Sequence, residues 1–378
     1  MKKLALKSLA TFSLLALAGT ALANQYPNLP SPVAQGGGAL IGDTAYVGLG
    51  SAGKKFFALD LKAATPTWRE LAEFPGEARV QPVVVAVNGK IYVFGGLAKV
   101  NGVNTSVNDA YVYDPATNKW STLNTRSPLG LVGAAGVNYK DKIYVVGGTN
   151  FEIFNGFFKD HTAAKDDAAK TAIANAYFDL RAEDYFFNNV LFSYNPATNK
   201  WANEGSMEMR GRAGAGVAVY DNKLYVVSGE IKPGLRTDKA SVGKFERNGE
   251  VDWESIKDLP ANPGEKVQDG VAGSYTAFVG KTLFVAGGAN FPGAHDAYKA
   301  GKLYAHQGLK KVYQKASFVL NDGKWSFAGD LPLGSGYGVT LSYGNQALIF
   351  GGETDGGKGL AEVWVVTYDP ATNKVSFK

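Results

Sequence analysis

The chain of 378 residues contains no cysteine and only three histidines. The first absence excludes disulfide staples, a thiol nucleophile and any cysteine-ligated zinc or copper centre. His161, His295 and His306 fall at no metal-ligand spacing, so no histidine metal site is expected. Long apolar runs are also missing. The longest, from about Leu9 to Ala18, is too short to span a bilayer comfortably. Lys2, Lys3 and Lys7 precede it and Ala21-Leu22-Ala23 follow it, the order of a secretory signal peptide. Residues 1–23 are therefore expected to be cleaved after Ala23, releasing a periplasmic protein with no membrane segment. An excess of one charge sign is absent too. Three of the 39 basic residues and none of the 34 acidic ones lie in the leader, so the mature chain has 36 against 34, a net of +2. That balance gives no electrostatic footprint for nucleic acid.

Glycine and aromatic residues are abundant, at 47 residues and 12% of the chain. Such a composition suits many short strands joined by tight turns. Six stretches share an apolar strand ending in small residues. They are Ala45–Gly50, Ile91–Gly96, Ile143–Gly148, Leu224–Gly229, Leu283–Gly288 and Leu348–Gly352. Each follows a turn such as Asn88-Gly89-Lys90 and an earlier apolar run, which reads as a hairpin. Downstream, Tyr113-Asp-Pro-Ala-Thr-Asn-Lys-Trp120 returns as Tyr194–Trp201 and Tyr368–Val375, with looser versions ending at Trp68, Trp253 and Trp325. Proline presets φ and asparagine tolerates the left-handed region, so this segment is a second hairpin connection. The unit is thus four strands, repeated six times. It resembles the kelch repeat, which implies an all-β, six-bladed β-propeller in one domain over 24–378. The expected blades are 33–70, 79–123, 131–204, 212–257, 270–329 and 336–378. Tyr26–Pro30 resembles the ends of fourth strands and is expected to help complete the last blade, where Val375 replaces tryptophan.

In such a propeller the loops after the glycines open on one face, together with the links between blades. Two of these loops are long, Thr149 to about Asn188 and Ala289 to about Lys311, and long loops on a rigid scaffold commonly carry function. Helix formers concentrate in Ala163–Ala176, and Ala294–Tyr313 also reads as partly helical, which suggests a partial lid. Polar groups converge on the same face. Asn150, Glu230, Asn290 and Glu353 follow the glycines, and Arg79, Arg212 and Gln268 precede first strands. The cluster suits a small, polar, anionic ligand, with arginine offering a fork for a carboxylate. In Ser228-Gly-Glu-Ile-Lys-Pro-Gly-Leu-Arg-Thr237 the sequence reads as Gly-Glu in place of Gly-Gly, followed by a Pro-Gly turn and an arginine. Breaking the repeat at the mouth is a functional hint.

The leader, the six repeats, the two insertions and Gly229–Arg236 together are similar to the bacterial N-acetylneuraminate epimerases, the sialic acid mutarotases. The resemblance implies an isomerase that converts the α anomer of a sialic acid to the β anomer without a cofactor. It implies Glu230 as catalytic acid/base with Arg236 beside it. Arg79, Arg212, Asn150, Asn290, Gln268 and Glu353, which converge on the same mouth, are expected around the substrate. A second copy of the chain is a candidate partner. The Ser-x-Asp-x-Gly-x-Thr-Trp boxes of sialidases are absent, as is the cysteine of galactose-oxidase-like copper enzymes. A non-catalytic glycan- or protein-binding propeller is the alternative, because fold does not fix function.

Overall fold

The structure, a computed structural model, describes residues 25–247 and 250–378. The expected leader lies outside the described residues. Six four-stranded antiparallel sheets follow one another along the described chain. Their first strands are Gly37–Ile41, Val83–Val87, Ala135–Tyr139, Gly216–Tyr220, Tyr275–Val279 and Val339–Tyr343. Each packs on the first strand of the next sheet, and the sixth packs on the first. The sheets therefore close into a ring, a six-bladed β-propeller. Core clusters of alternating apolar side chains lie between neighbouring blades, for example Val83, Val85, Phe94, Ile143 and Val145 between blades 2 and 3.

The repeated residues are explained by what they hold. Asn118, Asn199 and Asn373 take the left-handed conformation that the outer turn needs. Their side-chain oxygens accept from the hydroxyls of Tyr113, Tyr194 and Tyr368 at 2.7, 2.9 and 3.0 Å. The indole N–H of Trp120 reaches the carbonyl of Ala72, and that of Trp325 the carbonyl of Lys257, each pinning a blade to the link before it.

Closure uses the same device. The Trp68 indole donates to Pro27, so the N-terminal segment stands where a link from blade 6 belongs. The Leu29 N–H donates to Ala361, the third strand of blade 6. Leu71, Leu123, Met207, Leu259 and Leu331 make the matching bond in the other five blades, to Phe56, Ala110, Asn189, Asp238 and Lys315. The segment adds two such bonds, from Leu29 and from Val33 to Leu360, and no strand. Blade 6 draws all four strands from the C-terminal stretch, including Lys374–Phe377.

The long loops differ from their expected outline. The first carries two helices, Phe151–Ala163 (α1) and Asp167–Phe178 (α2), where one was expected over 163–176. Asn150 and Asp166 cap them by accepting from the N–H of Ile153 and Ala169, and the second cap sets the break between them. The second loop is helical only over Ala294–Lys299 (α3), and Gly301 and Gly308, both at positive φ, lie beyond its end. Blade 2 adds an unforeseen hairpin, Leu97–Val100 with Val103–Ser106, against which α1 packs.

Lys232 ties the two insertions together. Its side chain is fully buried, and Nζ donates to the carbonyls of Phe178 and Leu180 from the first insertion and Leu303 from the second. Lys232→Met leaves three carbonyls without that donor. It is expected to cost about 3 kcal/mol, and to make the insertions susceptible to limited proteolysis at protein concentrations where the wild type resists cleavage.

Candidate active site at the channel mouth

Six residues just before the first strands form a girdle at the channel mouth: Gln35, Gln81, Gly133, Gly214, Gly273 and Tyr337. All have positive φ, between 53° and 72°. Backbone N–H groups of Gln35, Gln81, Gly214, Gly273 and Tyr337 each donate to the girdle residue of the preceding blade at 2.7–2.8 Å. Three blades use glycine here. In the other three, side chains are kept at a conformation that disfavours them, a feature that concentrates at functional sites.

Blade 4 supplies the candidate pair, Glu230 and Arg236. Ser228 and Gly229 occupy the double-glycine positions, with φ of 59° and 108°. Glu230 is thus the residue after that pair, not a replacement within it. The Ser228 hydroxyl donates to Thr237 and accepts from the Val271 N–H, fixing the end of the next hairpin. That hairpin pairs Glu230–Lys232 with Leu235–Arg236, and its register sets Glu230 opposite Arg236. Gly234 makes the turn at φ 80°. A Cβ there would lie 1.8 Å from Nδ1 of His306, so both the turn and the packing require glycine.

Arg236 Nη2 lies 2.7 Å from Glu230 Oε2. The arginine side chain is 5% exposed and the glutamate 21%. Phe291 covers the guanidinium, with its ring centre 4.9 Å away, and Tyr337 and Tyr313 stand beside it. Burial works against the charge on Arg236, but the Glu230 carboxylate together with Tyr337 and Tyr313 outweighs it and holds the guanidinium above its ordinary range. Nε and Nη1 are buried with no hydrogen-bond partner among the described residues. Two donors on a buried cation thus await an acceptor. His295 Nε2 donates to the Arg236 carbonyl at 2.5 Å. Tyr177 and Tyr185 approach from the first insertion, and burial, with the Glu230 charge adding to it, pushes both phenols up.

The opposite wall is centred on Glu353, itself 5% exposed. Oε2 accepts from Gln35 at 2.9 Å, and Oε1 accepts from Lys311 at 3.0 Å and Tyr313 at 2.5 Å. Gln81 in turn donates to Gln35. Burial raises Glu353, and the donors Tyr313, Gln35 and Lys311 outweigh it, holding the carboxyl below its usual range. Lys311 Nζ lies 4.7 Å above the rings of both Tyr313 and Tyr337.

Of the residues expected at the site, Glu230, Arg236 and Glu353 are brought to the mouth. The others have different employment. Arg79 is enclosed by Asp109, the carbonyls of Glu77 and Gly95, and the Phe74 ring. Arg212 repeats this pattern on the carbonyls of Arg210, Ser228 and Lys239. Both are bolts behind the double-glycine turn, buried because that turn's carbonyl needs a donor. Gln268 braces its own loop through Pro260 and Gly270. Asn150 is the α1 cap. Asn290 is spent on Gly270 and Gln314. Sequence reading missed Gln35, Gln81, Lys311, Tyr313 and Tyr337. Three of these carried a signal, a side chain at a girdle position where other blades have glycine.

The family model described as N-acetylneuraminate epimerase matches residues 26–375. The chain belongs to the N-acetylneuraminate epimerase family. It is 54% identical to the N-acetylneuraminate epimerase of Haemophilus influenzae (strain PittEE), over 93% of each chain. It is 49% identical to that of Pasteurella multocida (strain Pm70), over 95% of this chain and 97% of the relative. A solved structure described as "Structure of YjhT" superposes with a TM-score of 0.89 at 40% identity, covering 94% of this chain and 99% of the other. Among the described residues no helix is long and apolar enough to cross a membrane.

One pH effect is expected of this family member. His306 packs against Phe178, Phe291 and Tyr304 and faces Arg236 and Lys232. Burial, then these two cations, push it down to about 4 from the ordinary 6.5. Below pH 6.5 the unfolded chain binds a proton that the folded chain refuses, so stability is intact above 6.5 and is lost as pH falls toward 4. Thermal unfolding between pH 7 and 4 checks this. His306→Phe should show a smaller loss over that window, and an identical loss would exclude His306 as its source.

Proposed function

We propose that the protein is a cofactor-independent sialic acid mutarotase that converts α-N-acetylneuraminate to the β anomer in the periplasm. The observation that carries this reading is the pair Glu230–Arg236, a partly exposed carboxylate beside a buried guanidinium with two unused donors. The arginine's free N–H groups suit the C1 carboxylate of the sugar, which is bonded to the anomeric carbon. That contact brings the anomeric hydroxyl and ring oxygen to Glu230. The Glu230 carboxylate takes the proton of the anomeric hydroxyl. The bond from C2 to the ring oxygen breaks, C2 becomes a ketone, and Glu230 returns the proton to the ring oxygen. Rotation about C2–C3 presents the other face, and the same steps in reverse close the ring. No electron leaves the substrate, so the chemistry asks for no redox partner. The family membership supports the substrate class, and the character of residues 1–23 supports export.

Ring opening can be told from loss of the anomeric hydroxyl by running the conversion in ¹⁸O-water. Ring opening predicts β product carrying no more label than the spontaneous reaction gives. One labelled oxygen per turnover, seen by mass spectrometry, contradicts it.

A further inference from the structure

The wall around Glu353 has unused hydrogen-bonding capacity of a particular kind. A carboxylate offers about four acceptor positions and an ammonium three donors. Glu353 accepts from Gln35, Lys311 and Tyr313, which leaves it about one acceptor position. Lys311 gives one N–H to Glu353 and one to the Tyr313 hydroxyl at 2.8 Å, which leaves one donor. The Lys311 side chain is 33% exposed, so that donor is accessible. A free acceptor and a free donor side by side match two neighbouring hydroxyls, one giving and one receiving. They do not match a carboxylate, which Glu353 repels, nor an acetamido group, whose N–H and C=O point in opposite directions across the trans amide. Tyr313 and Tyr337 join this wall to Arg236, so a ligand held by Arg236 has its far end here.

We propose that Glu353, Lys311, Tyr313 and Gln35 form a subsite for the vicinal hydroxyls of the substrate's exocyclic polyol chain. This rests on the mutarotase reading above. In N-acetylneuraminate the ring carbons next to the anomeric centre carry no adjacent hydroxyl pair, and the three-carbon chain at C6 does. With the carboxylate on Arg236 and that chain on Glu353, the sugar is fixed at both ends across Glu230. Gln35 is kept at its unfavourable positive φ because its side chain orients the Glu353 carboxylate.

The test is a comparison of dissociation constants by titration calorimetry, which does not depend on turnover. The ligands are N-acetylneuraminate and its analogue with the chain shortened by periodate oxidation and borohydride reduction. A hydrogen bond to a charged group predicts at least a tenfold loss when it is removed. Shortening should weaken binding to the wild type at least tenfold, and so should Glu353→Gln with the full sugar. Glu353→Gln with the shortened sugar should cost no more than either change alone. Tyr313→Phe gives the same test if the glutamate variant folds poorly. Multiplying losses, or equal binding of both sugars by the wild type, overturns the subsite. Absence of anomer interconversion by a wild type that shows the coupled losses would instead overturn the reaction and leave the subsite standing.

Discussion

Glu230→Gln is expected to lower the catalysed interconversion of sialic acid anomers by about 10²–10⁴-fold, which is what a positioned acid/base contributes. The substitution keeps the shape and hydrogen-bonding length of the side chain and removes its ability to take a proton. The backbone of Glu230 is held independently, by paired bonds with Ala213 at 2.7 and 2.9 Å, so the hairpin keeps its place. Arg236 loses its counter-charge but gains the sugar carboxylate as its main partner. Substrate affinity should therefore fall little while turnover collapses. Turnover is followed by NMR and affinity by calorimetry. A parallel fall in both would make Glu230 a binding group, with the acid/base elsewhere.

Arg79→Met is expected to produce the largest loss of stability, about 3–5 kcal/mol, as for other buried ion pairs broken from one side. The Arg79 side chain is fully buried and meets Asp109 twice, Nη1 to Oδ1 at 2.5 Å and Nη2 to Oδ2 at 3.0 Å. Tyr111 donates to the same carboxylate at 3.0 Å, and the Gly95 carbonyl takes a further N–H of Arg79 at 3.0 Å. Methionine fills the space and strands the Asp109 carboxylate and the Glu77 and Gly95 carbonyls. The effect has a pH signature. Burial raises Asp109, but Arg79 outweighs it and holds the carboxyl below its ordinary value. The pair therefore stabilises the fold above pH about 4 and loses that contribution as acid protonates Asp109. Denaturant unfolding should show the gap between variant and wild type narrowing below pH 4. A gap independent of pH would mean that packing alone is lost. Affinity of the folded variant for sialic acid should stay within about twofold of wild type, since Arg79 lies behind the double-glycine turn.

The two arginines show where sequence reading succeeds and where it stops. The repeat was legible because its marks are local: asparagine at a left-handed turn, tyrosine and tryptophan at fixed distances from it, and small residues at a crowded turn. Glu230 and Arg236 stood out because Ser228 and the Pro233-Gly234 turn beside them depart from the other repeats and because the surrounding segment is similar to a known family. Arg79 and Arg212 occupy the right loops, yet they point inward. The direction is set by the carbonyls of Gly95 and Ser228, which only the folded turn exposes. Asn150 was read as a site residue and is spent on a helix that composition did not reveal. Lys311 and Tyr313 were invisible for the opposite reason. They lie at the end of an insertion, and only the return of that chain to blade 5 sets them against Glu353. Tyr337, Gln35 and Gln81 were within reach, since aligning the blades sets them against three glycines.

The most direct measurement is NMR of α-N-acetylneuraminate freshly released by a sialidase, with and without trace amounts of the purified mature protein. The proposed mechanism predicts that the β anomer appears faster in proportion to protein concentration, toward an unchanged final anomer ratio, and that Glu230→Gln returns the rate to the spontaneous one. A wild-type rate equal to the spontaneous one would contradict it and leave a sugar-binding propeller without catalysis.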